Sequence, residues 1–236
     1  MKNILLLISF FTINFIISQT VTDFIEASDN LFKTYVKNGL VDYAAIKKDP
    51  AKLNAALAAG KDVKVSTSNE NDFKAFWINA YNVGLISEVV KAYPVKTPLK
   101  IIGLFKSKKL EFGGKTITLD AIENKVLRGN FPKESRIHFA LVCGGLGCPP
   151  IISEAYKPST LDAQLNRQAK AALNDPNFVR VDGKKVKLSQ IFNWYKGDFT
   201  QGGNSLIDYV NKFRKTPLTA TKVSYYEYDW TLNDIN

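Results

Sequence analysis

The residues best suited to chemistry lie in one segment, between Arg136 and Pro150. This segment holds the only histidine of the chain, His138, and both of its cysteines, Cys143 and Cys148. A thiol close to an imidazole is the pairing that catalysis by a nucleophilic cysteine requires. Two thiols this close can equally form a disulfide, and the sequence leaves both interpretations open.

Cys148 is the better candidate for a nucleophile. It follows the glycine-rich turn 144–147 and precedes Pro149, and proline is favoured at the first position of a helix. The sequence therefore predicts a helix that begins after Cys148, and its N-terminus would lower the pKa of the thiol. The backbone amides of the turn would then be candidate donors to an oxyanion.

The run from Arg136 to Cys143 is almost continuously apolar, which predicts a central β-strand covered on both faces. On such a strand His138 and Cys143 point to opposite faces, whereas Cys148 lies beyond a turn and can return towards His138. His138 is then either the general base for Cys148 or a core histidine bonded to backbone.

The structural alternative is a Cys143–Cys148 disulfide. Its short loop predicts a stabilisation on the order of 2 kcal/mol or less. One histidine and two cysteines fall short of a closed tetrahedral set of ligands, so we expect no metal site and no cofactor.

Three further residues are candidates for orienting the imidazole. Asn79 and Asn82 lie three positions apart on one face of a predicted helix, where each either ties down a neighbouring loop or serves as the third member of a triad. Glu123 either caps a helix that begins at Asp120 or orients His138.

Candidate substrate-binding residues lie mostly towards the C-terminus. Arg136 can bind an anionic group or form a surface salt bridge. Trp194, Tyr195 and Asp198 belong to one aromatic cluster with an acid, and Trp230 belongs to a second. These clusters either pack in the core or form a wall that faces a ligand.

The fold class follows from the predicted elements. A helix that runs to about Ala92 is apolar around nearly its whole circumference, which is typical of a buried helix. Hairpins are predicted over Glu111–Leu119 and Phe178–Leu188, and a last strand over Val223–Tyr228. We therefore expect an α+β fold: a helix-rich single domain with a buried central helix, a small sheet and hairpins.

Residues 1–20 have the layout of a secretory signal peptide, with Lys2 followed by an apolar run and a small polar end. The run is shorter than the roughly 20 residues that a membrane span needs. We therefore expect a mature domain over residues 21–236, periplasmic or secreted, with no integral membrane span. An uncleaved anchor is the alternative, because Ile16 is bulky where a cleavage site usually has a small residue. The net charge is +10, but the lysines are scattered and no nucleic-acid motif is present, so we expect no nucleic-acid partner.

Several motifs, in order along the chain, resemble the uncharacterised family numbered 547 among domains of unknown function. They are Val41-Asp42-Tyr43, 76–82, 119–123, Leu127-Arg128, 136–143 through Cys148-Pro149-Pro150, Leu161-Asp162 with Gln164-Leu165, Ile191-Phe192 with Trp194-Tyr195 and Asp198-Phe199, and Tyr228-Asp229-Trp230 with Leu232-Asn233. The resemblance extends over about residues 25–236 and implies no established activity. It implies that the motif positions of the family include His138, Cys143, Cys148, Asn79, Asn82 and Glu123. Asn124 departs from the family pattern, which often has a histidine after the glutamate.

Two main functional hypotheses follow. The first is a cysteine-dependent hydrolase or acyltransferase for amide or ester bonds, with Cys148 as nucleophile and His138 as base. The alternative is a non-catalytic binding domain, stapled by a Cys143–Cys148 disulfide, for an unknown peptide, ester or glycan. Thiol–disulfide exchange by the two cysteines is a third possibility.

Overall fold

The computed structural model describes residues 20–219 and 222–236. The expected signal peptide falls on residues 1–20, of which only Thr20 is described; Thr20 caps the first helix by accepting a hydrogen bond from the amide of Asp23. Within the described ranges, no helix has both the length and the apolar character needed to cross a membrane.

Helices dominate the described chain. The α-helices are α1 Val21–Tyr35, α2 Tyr43–Lys48, α3 Ala51–Gly60, α4 Glu70–Ala92, α5 Leu119–Ala121, α6 Arg128–Asn130, α7 Leu161–Asn174, α8 Ile191–Trp194, α9 Lys196–Phe199 and α10 Leu206–Asn211. A π-helical turn, Ile122–Leu127, joins α5 to α6, and 3₁₀ turns cover Pro98–Lys100, Ser135–Phe139, Pro158–Thr160 and Gln201–Gly203.

The strands are short and mostly form hairpins. They are β1 Val36–Lys37, β2 Leu40–Val41, β3 Leu110–Phe112, β4 Lys115–Ile117, β5 Val179–Asp182, β6 Lys185–Leu188 and β7 Lys222–Tyr225. Strands β1–β2 and β3–β4 form two-stranded sheets, while β5–β6–β7 form a sheet in which β5–β6 is antiparallel and β6–β7 parallel. The hairpin between β5 and β6 turns at Gly183, whose positive φ of 56° suits glycine. These elements confirm the predicted α+β class and both hairpins.

The predicted central helix is confirmed as α4. Its side chains are buried from Phe73 to Val90 on all sides, apart from Lys74. Helices α1, α2 and α3 pack against it, and one apolar core surrounds it. A second apolar core lies between α7, the sheet β5–β6–β7 and the C-terminal segments. The segment that contains the histidine and the cysteines runs between the two cores.

The predicted strand from Arg136 to Cys143 is wrong. Ser135–Phe139 is a 3₁₀ turn, and the amides of Ala140 and Leu141 both bond to the carbonyl of Ile137. In a continuous apolar run the spacing of apolar residues is the same for a buried strand and for a buried helical turn, so the sequence pattern does not distinguish them. His138 and Cys143 are therefore not on opposite faces of a strand.

The predicted helix after Cys148 is also wrong. Residues 149–157 contain no helical turn, and the next one begins at Pro158. A proline disfavours the helical conformation of the residue before it, and Pro149 is itself followed by Pro150. Cys148 is thus not at a helix N-terminus, and that reason for a low thiol pKa is removed.

Candidate functional site

A cavity of about 500 Å³ lies between the two cores. Most of the candidate residues from the sequence line this cavity. They are His138, Glu123, both cysteines, Trp194, Tyr195 and Trp230. The lining residues are Tyr81, Phe105, Lys106, Asp120, Glu123, Asn124, His138, Leu141, Cys143, Cys148, Ile191, Trp194, Tyr195, Tyr228 and Trp230. A single concave site that combines aromatic walls with a few polar groups is the usual form of a small-molecule site.

Cys143 and Cys148 form a disulfide, which is half-buried in the cavity wall. The hydroxyl of Tyr228 lies 3.1 Å from Sγ of Cys143 and 3.0 Å from Sγ of Cys148. Burial raises the pKa of Tyr228 well above its ordinary value, so the hydroxyl keeps its proton and can donate to a sulfur atom. The amide of Cys143 also points at Sγ of Cys148, at 2.9 Å. With both cysteines bonded, this state has no thiol nucleophile.

The glycine-rich turn is held by the C-terminal segment. The amide of Leu146 donates to the carbonyl of Thr231, and that of Gly147 to the carbonyl of Asp229, both at 2.8 Å. The amide of Cys148 donates to Gly145 within the turn. Two of the turn amides that were candidates for an oxyanion hole, those of Leu146 and Gly147, therefore already have partners.

His138 is fixed by an acid and a cation that are distant in sequence. Its Nε2 atom lies 2.8 Å from Oδ2 of Asp198. Arg128 holds the same carboxylate at two points, with Nε 2.6 Å from Oδ2 and Nη2 2.9 Å from Oδ1. Burial opposes ionisation of Asp198, but the hydrogen bonds from His138 and Arg128 and the neighbouring positive charge outweigh it, so its pKa lies well below the ordinary value. The ring of Tyr195 stacks on His138, with centroids 4.0 Å apart.

Glu123 does not cap the helix, as one of the two interpretations of the sequence expected. The side chain of Thr118 caps this helix, by accepting from the amide of Ala121. Glu123 lies on the π-helical turn, lines the cavity, and has its carboxyl group close to Tyr195. Burial, and then the negative charge of Glu123, raise the pKa of Tyr195 far above its ordinary value.

Asn82 ties down the segment that carries the cysteines, and Asn79 ties down the chain further on, at Tyr156. The amide group of Asn82 donates to the carbonyl of Ala140 at 2.9 Å and accepts from the amide of Val142 at 3.1 Å. The amide group of Asn79 donates to the carbonyl of Tyr156 at 2.8 Å and accepts from the backbone amide of Tyr156 at 3.0 Å. Both side chains are buried, neither lines the cavity, and their hydrogen bonds go to backbone groups, which is a positioning role.

The aromatic candidates form one wall. Trp194, Tyr228 and Trp230 pack together, with ring centroids 4.8 to 6.0 Å apart. Trp194 is 49% exposed, so a face of this wall is open to solvent. Arg136 lies outside the cavity and is paired with Glu134 and Asp162, each at 2.6 Å.

The sequence offered Arg128 a pairing with an acid or an anionic substrate, and Tyr228 a place in the core or in a ligand-facing wall, but it did not identify the partner of either residue. Tyr228 lies in the second aromatic cluster, yet nothing in its spacing indicated a contact with both sulfur atoms. Arg128 lies on α6 and meets Asp198 across 70 positions of sequence, a pairing that only the tertiary fold creates.

Residues 65–173 match a family described as a protein of unknown function, DUF547. This match confirms the resemblance over the part of the chain that contains α4, Glu123, His138 and both cysteines. The motifs before residue 65 and after residue 173 lie outside it. No curated protein and no solved structure matches the chain.

Proposed function

We propose that this protein is an exported, non-catalytic binding domain that takes a peptide or glycan ligand against the aromatic wall of its cavity. The observation that carries the proposal is the Cys143–Cys148 disulfide in the cavity wall, where Tyr228 contacts both sulfur atoms. A bonded pair of cysteines stiffens the wall and supplies no nucleophile. A half-buried disulfide also suits an oxidising compartment, which agrees with the expected signal peptide.

The cavity has the features that a ligand needs. Trp194 and Trp230 present rigid ring surfaces, which bury large contact areas at a small entropic cost. Glu123 and Asp120 supply carboxylates that accept hydrogen bonds, and Lys106 supplies one cation at the rim. Hydroxyl and amide groups of a glycan or peptide are suitable donors to such carboxylates.

Tryptophan fluorescence can test binding directly. Trp77 is buried in the core, whereas the other two tryptophans lie in the cavity wall, so Trp77→Phe leaves only reporters of the site. This variant is titrated with chito-oligosaccharides, cello-oligosaccharides and short peptides. We expect saturable quenching by at least one of them and at least a tenfold loss of affinity in Trp194→Ala. Ile102→Ala, at a position 91% exposed, is the control and should bind normally. If no probe gives saturable quenching, the proposal fails for these ligand classes.

The second candidate is the cysteine-dependent hydrolase or acyltransferase, acting in a reduced state. It is favoured by one observation: His138, oriented by Asp198, lines the same cavity as both cysteines. Of the two ring nitrogens of His138, Nε2 has a hydrogen-bond partner among the described residues and Nδ1 has none there, so Nδ1 is available as a base. A Cys148 thiolate would attack the carbonyl carbon, and the protonated imidazole would return the proton to the leaving group.

A pair of variants separates the two candidates. Cys143→Ser and Cys148→Ser both remove the disulfide, but only the first leaves the Cys148 thiol. The enzyme hypothesis predicts hydrolysis of p-nitrophenyl acetate and peptide anilides by Cys143→Ser and by the reduced wild type but not by Cys148→Ser, and loss of the Cys143→Ser activity when His138→Gln is added. The binding hypothesis predicts background rates for both variants and for the reduced wild type. Intact mass after alkylation, with and without reductant, establishes the thiol state; the binding hypothesis predicts no alkylation until reductant is added.

A further inference from the structure

The outer face of the sheet β5–β6–β7 forms a second concave surface, with a volume of about 780 Å³ and different residues from the cavity. We call it the basic groove. It is lined by Arg180, Val181, Asp182, Lys185, Lys187, Lys222, Val223 and Ser224. Four of these side chains carry a positive charge and one a negative charge, so the groove is strongly basic.

The register of the strands sets like charges opposite one another. Arg180 pairs with Lys187 across β5–β6, and Lys185 pairs with Lys222 across β6–β7. Directly opposed residues have Cβ atoms about 4.5–5.5 Å apart, and like charges at that distance destabilise a sheet. Asp182 stands opposite Lys185 and offsets only one of the four cations.

The positive charges of the groove are not used by the fold. Within residues 20–219 and 222–236, none of its four cations lies within 4.0 Å of a carboxylate oxygen. Arg180 is nevertheless held in place, since its Nε atom donates to the carbonyl of Asn177 at 3.1 Å and its guanidinium lies 3.8 Å from the ring centre of Tyr226. A fixed and uncompensated cation beside three lysines is a preorganised site for anionic groups.

We propose that the basic groove binds a linear anionic polysaccharide, one that bears carboxylate or sulfate groups. Successive residues on one face of a strand are about 6.6–6.8 Å apart and neighbouring strands about 4.8 Å, so the cations form a grid that an extended polyanion can follow.

Two other anionic partners fit the groove less well. Single-stranded nucleic acid is held by base stacking on open aromatic rings, whereas the aromatic ring beside this groove, Tyr226, is 9% exposed and covered by Arg180. Membrane-surface segments insert Trp, Phe or Leu side chains, and the exposed apolar residues lining this groove are the two valines.

The test compares two double variants with the same change of net charge. Lys185→Gln with Lys187→Gln removes two cations from the groove, whereas Lys108→Gln with Lys109→Gln removes two from an exposed segment elsewhere. The probes are a heparin hexasaccharide and an oligogalacturonate, titrated by calorimetry at several salt concentrations. We expect the groove variant to lose about 30-fold in affinity, equivalent to about 2 kcal/mol, and the control less than about threefold. We also expect a shallower dependence of affinity on salt for the groove variant only.

Parallel titrations with a dT12 oligonucleotide and with vesicles of phosphatidylglycerol and phosphatidylcholine identify the class of partner. Groove-dependent binding that is tightest for the polysaccharides supports the proposal. Equal losses in the two double variants, no binding of either polysaccharide, or tighter groove-dependent binding of DNA or vesicles would overturn it. Thermal unfolding checks that the groove variant is folded; relief of the Arg180–Lys187 repulsion predicts an unchanged or higher Tm.

Discussion

Asp198 holds together the polar side of the cavity, and its substitution is therefore the most informative single change. Asp198→Asn keeps the shape of the side chain but replaces one acceptor oxygen with a donor nitrogen. The carboxylate now accepts three hydrogen bonds, two from Arg128 and one from His138. In the variant, at least one of these donors faces another donor, and the charge of Arg128 loses its partner.

The expected cost can be worked from the geometry. A hydrogen bond to a charged group contributes about 1.5–3 kcal/mol, and removal of one partner from a fully buried ion pair costs about 3–5 kcal/mol. The side chains of Arg128 and Asp198 are 30% and 19% exposed, so solvent screens the pair and the lower figures apply. We expect Asp198→Asn to lower the free energy of unfolding at pH 7 by about 2 kcal/mol, and Tm by roughly 4–8 °C.

The effect should depend on pH in a defined direction. Because the folded state lowers the pKa of Asp198, the ionised carboxylate stabilises the fold above the unfolded pKa of about 3.9. That stabilisation is lost progressively as the pH falls from there towards the folded-state pKa. The difference in stability between wild type and Asp198→Asn should therefore be full at pH 7 and smaller, by about 1 kcal/mol, at pH 3.

Urea unfolding at pH 7 and pH 3 measures both quantities. Glu111→Gln is the matched control, because Glu111 forms an ion pair with Lys61 in which both side chains are more than half exposed. We expect the control to change stability by about 0.5 kcal/mol or less. A loss in Asp198→Asn no larger than that of the control, or a loss of the same size at both pH values, would refute the reasoning.

Three changes elsewhere in the site have expected outcomes of their own. Reduction of the disulfide should lower the free energy of unfolding by about 2 kcal/mol in urea titrations, because the bond that is lost closes only a short loop. Asn82→Ala should cost about 3 kcal/mol, because it leaves a buried carbonyl and amide without partners, whereas Asn130→Ala at an exposed position should cost about 0.5 kcal/mol or less. Trp194→Ala should shift Tm by roughly 4 °C or less, because the side chain is half exposed, so that its effect on ligand affinity is separable from folding.

The parts of the fold that the sequence predicts well are those decided by local pattern. Helix α4 is apolar around its circumference, and that pattern is typical of a helix buried in a core. The β5–β6 hairpin follows from the Asp182-Gly183 turn between two short apolar-polar runs. In both cases the residues that specify the element lie inside it.

The segment around His138 could not be predicted in this way. Its backbone conformation depends on Asn82, whose amide group satisfies the carbonyl of Ala140 and the amide of Val142 in place of a neighbouring strand. That partner lies about 60 positions away, and an apolar run gives no local sign of it. The pairing of His138 with Asp198, 60 positions apart, is a second case of the same kind.

The way in which the cysteine turn is held also determines how the thiol experiments can be interpreted. Asn82 fixes the backbone just before Cys143, and the carbonyl of Asp229 holds the amide of Gly147 just before Cys148. These bonds do not depend on the sulfur atoms. Removal of the disulfide should therefore cost about 2 kcal/mol and leave the cavity wall in place. Any difference in hydrolysis rate between Cys143→Ser and Cys148→Ser would then be due to the sulfur atom that remains, and not to a loss of the fold.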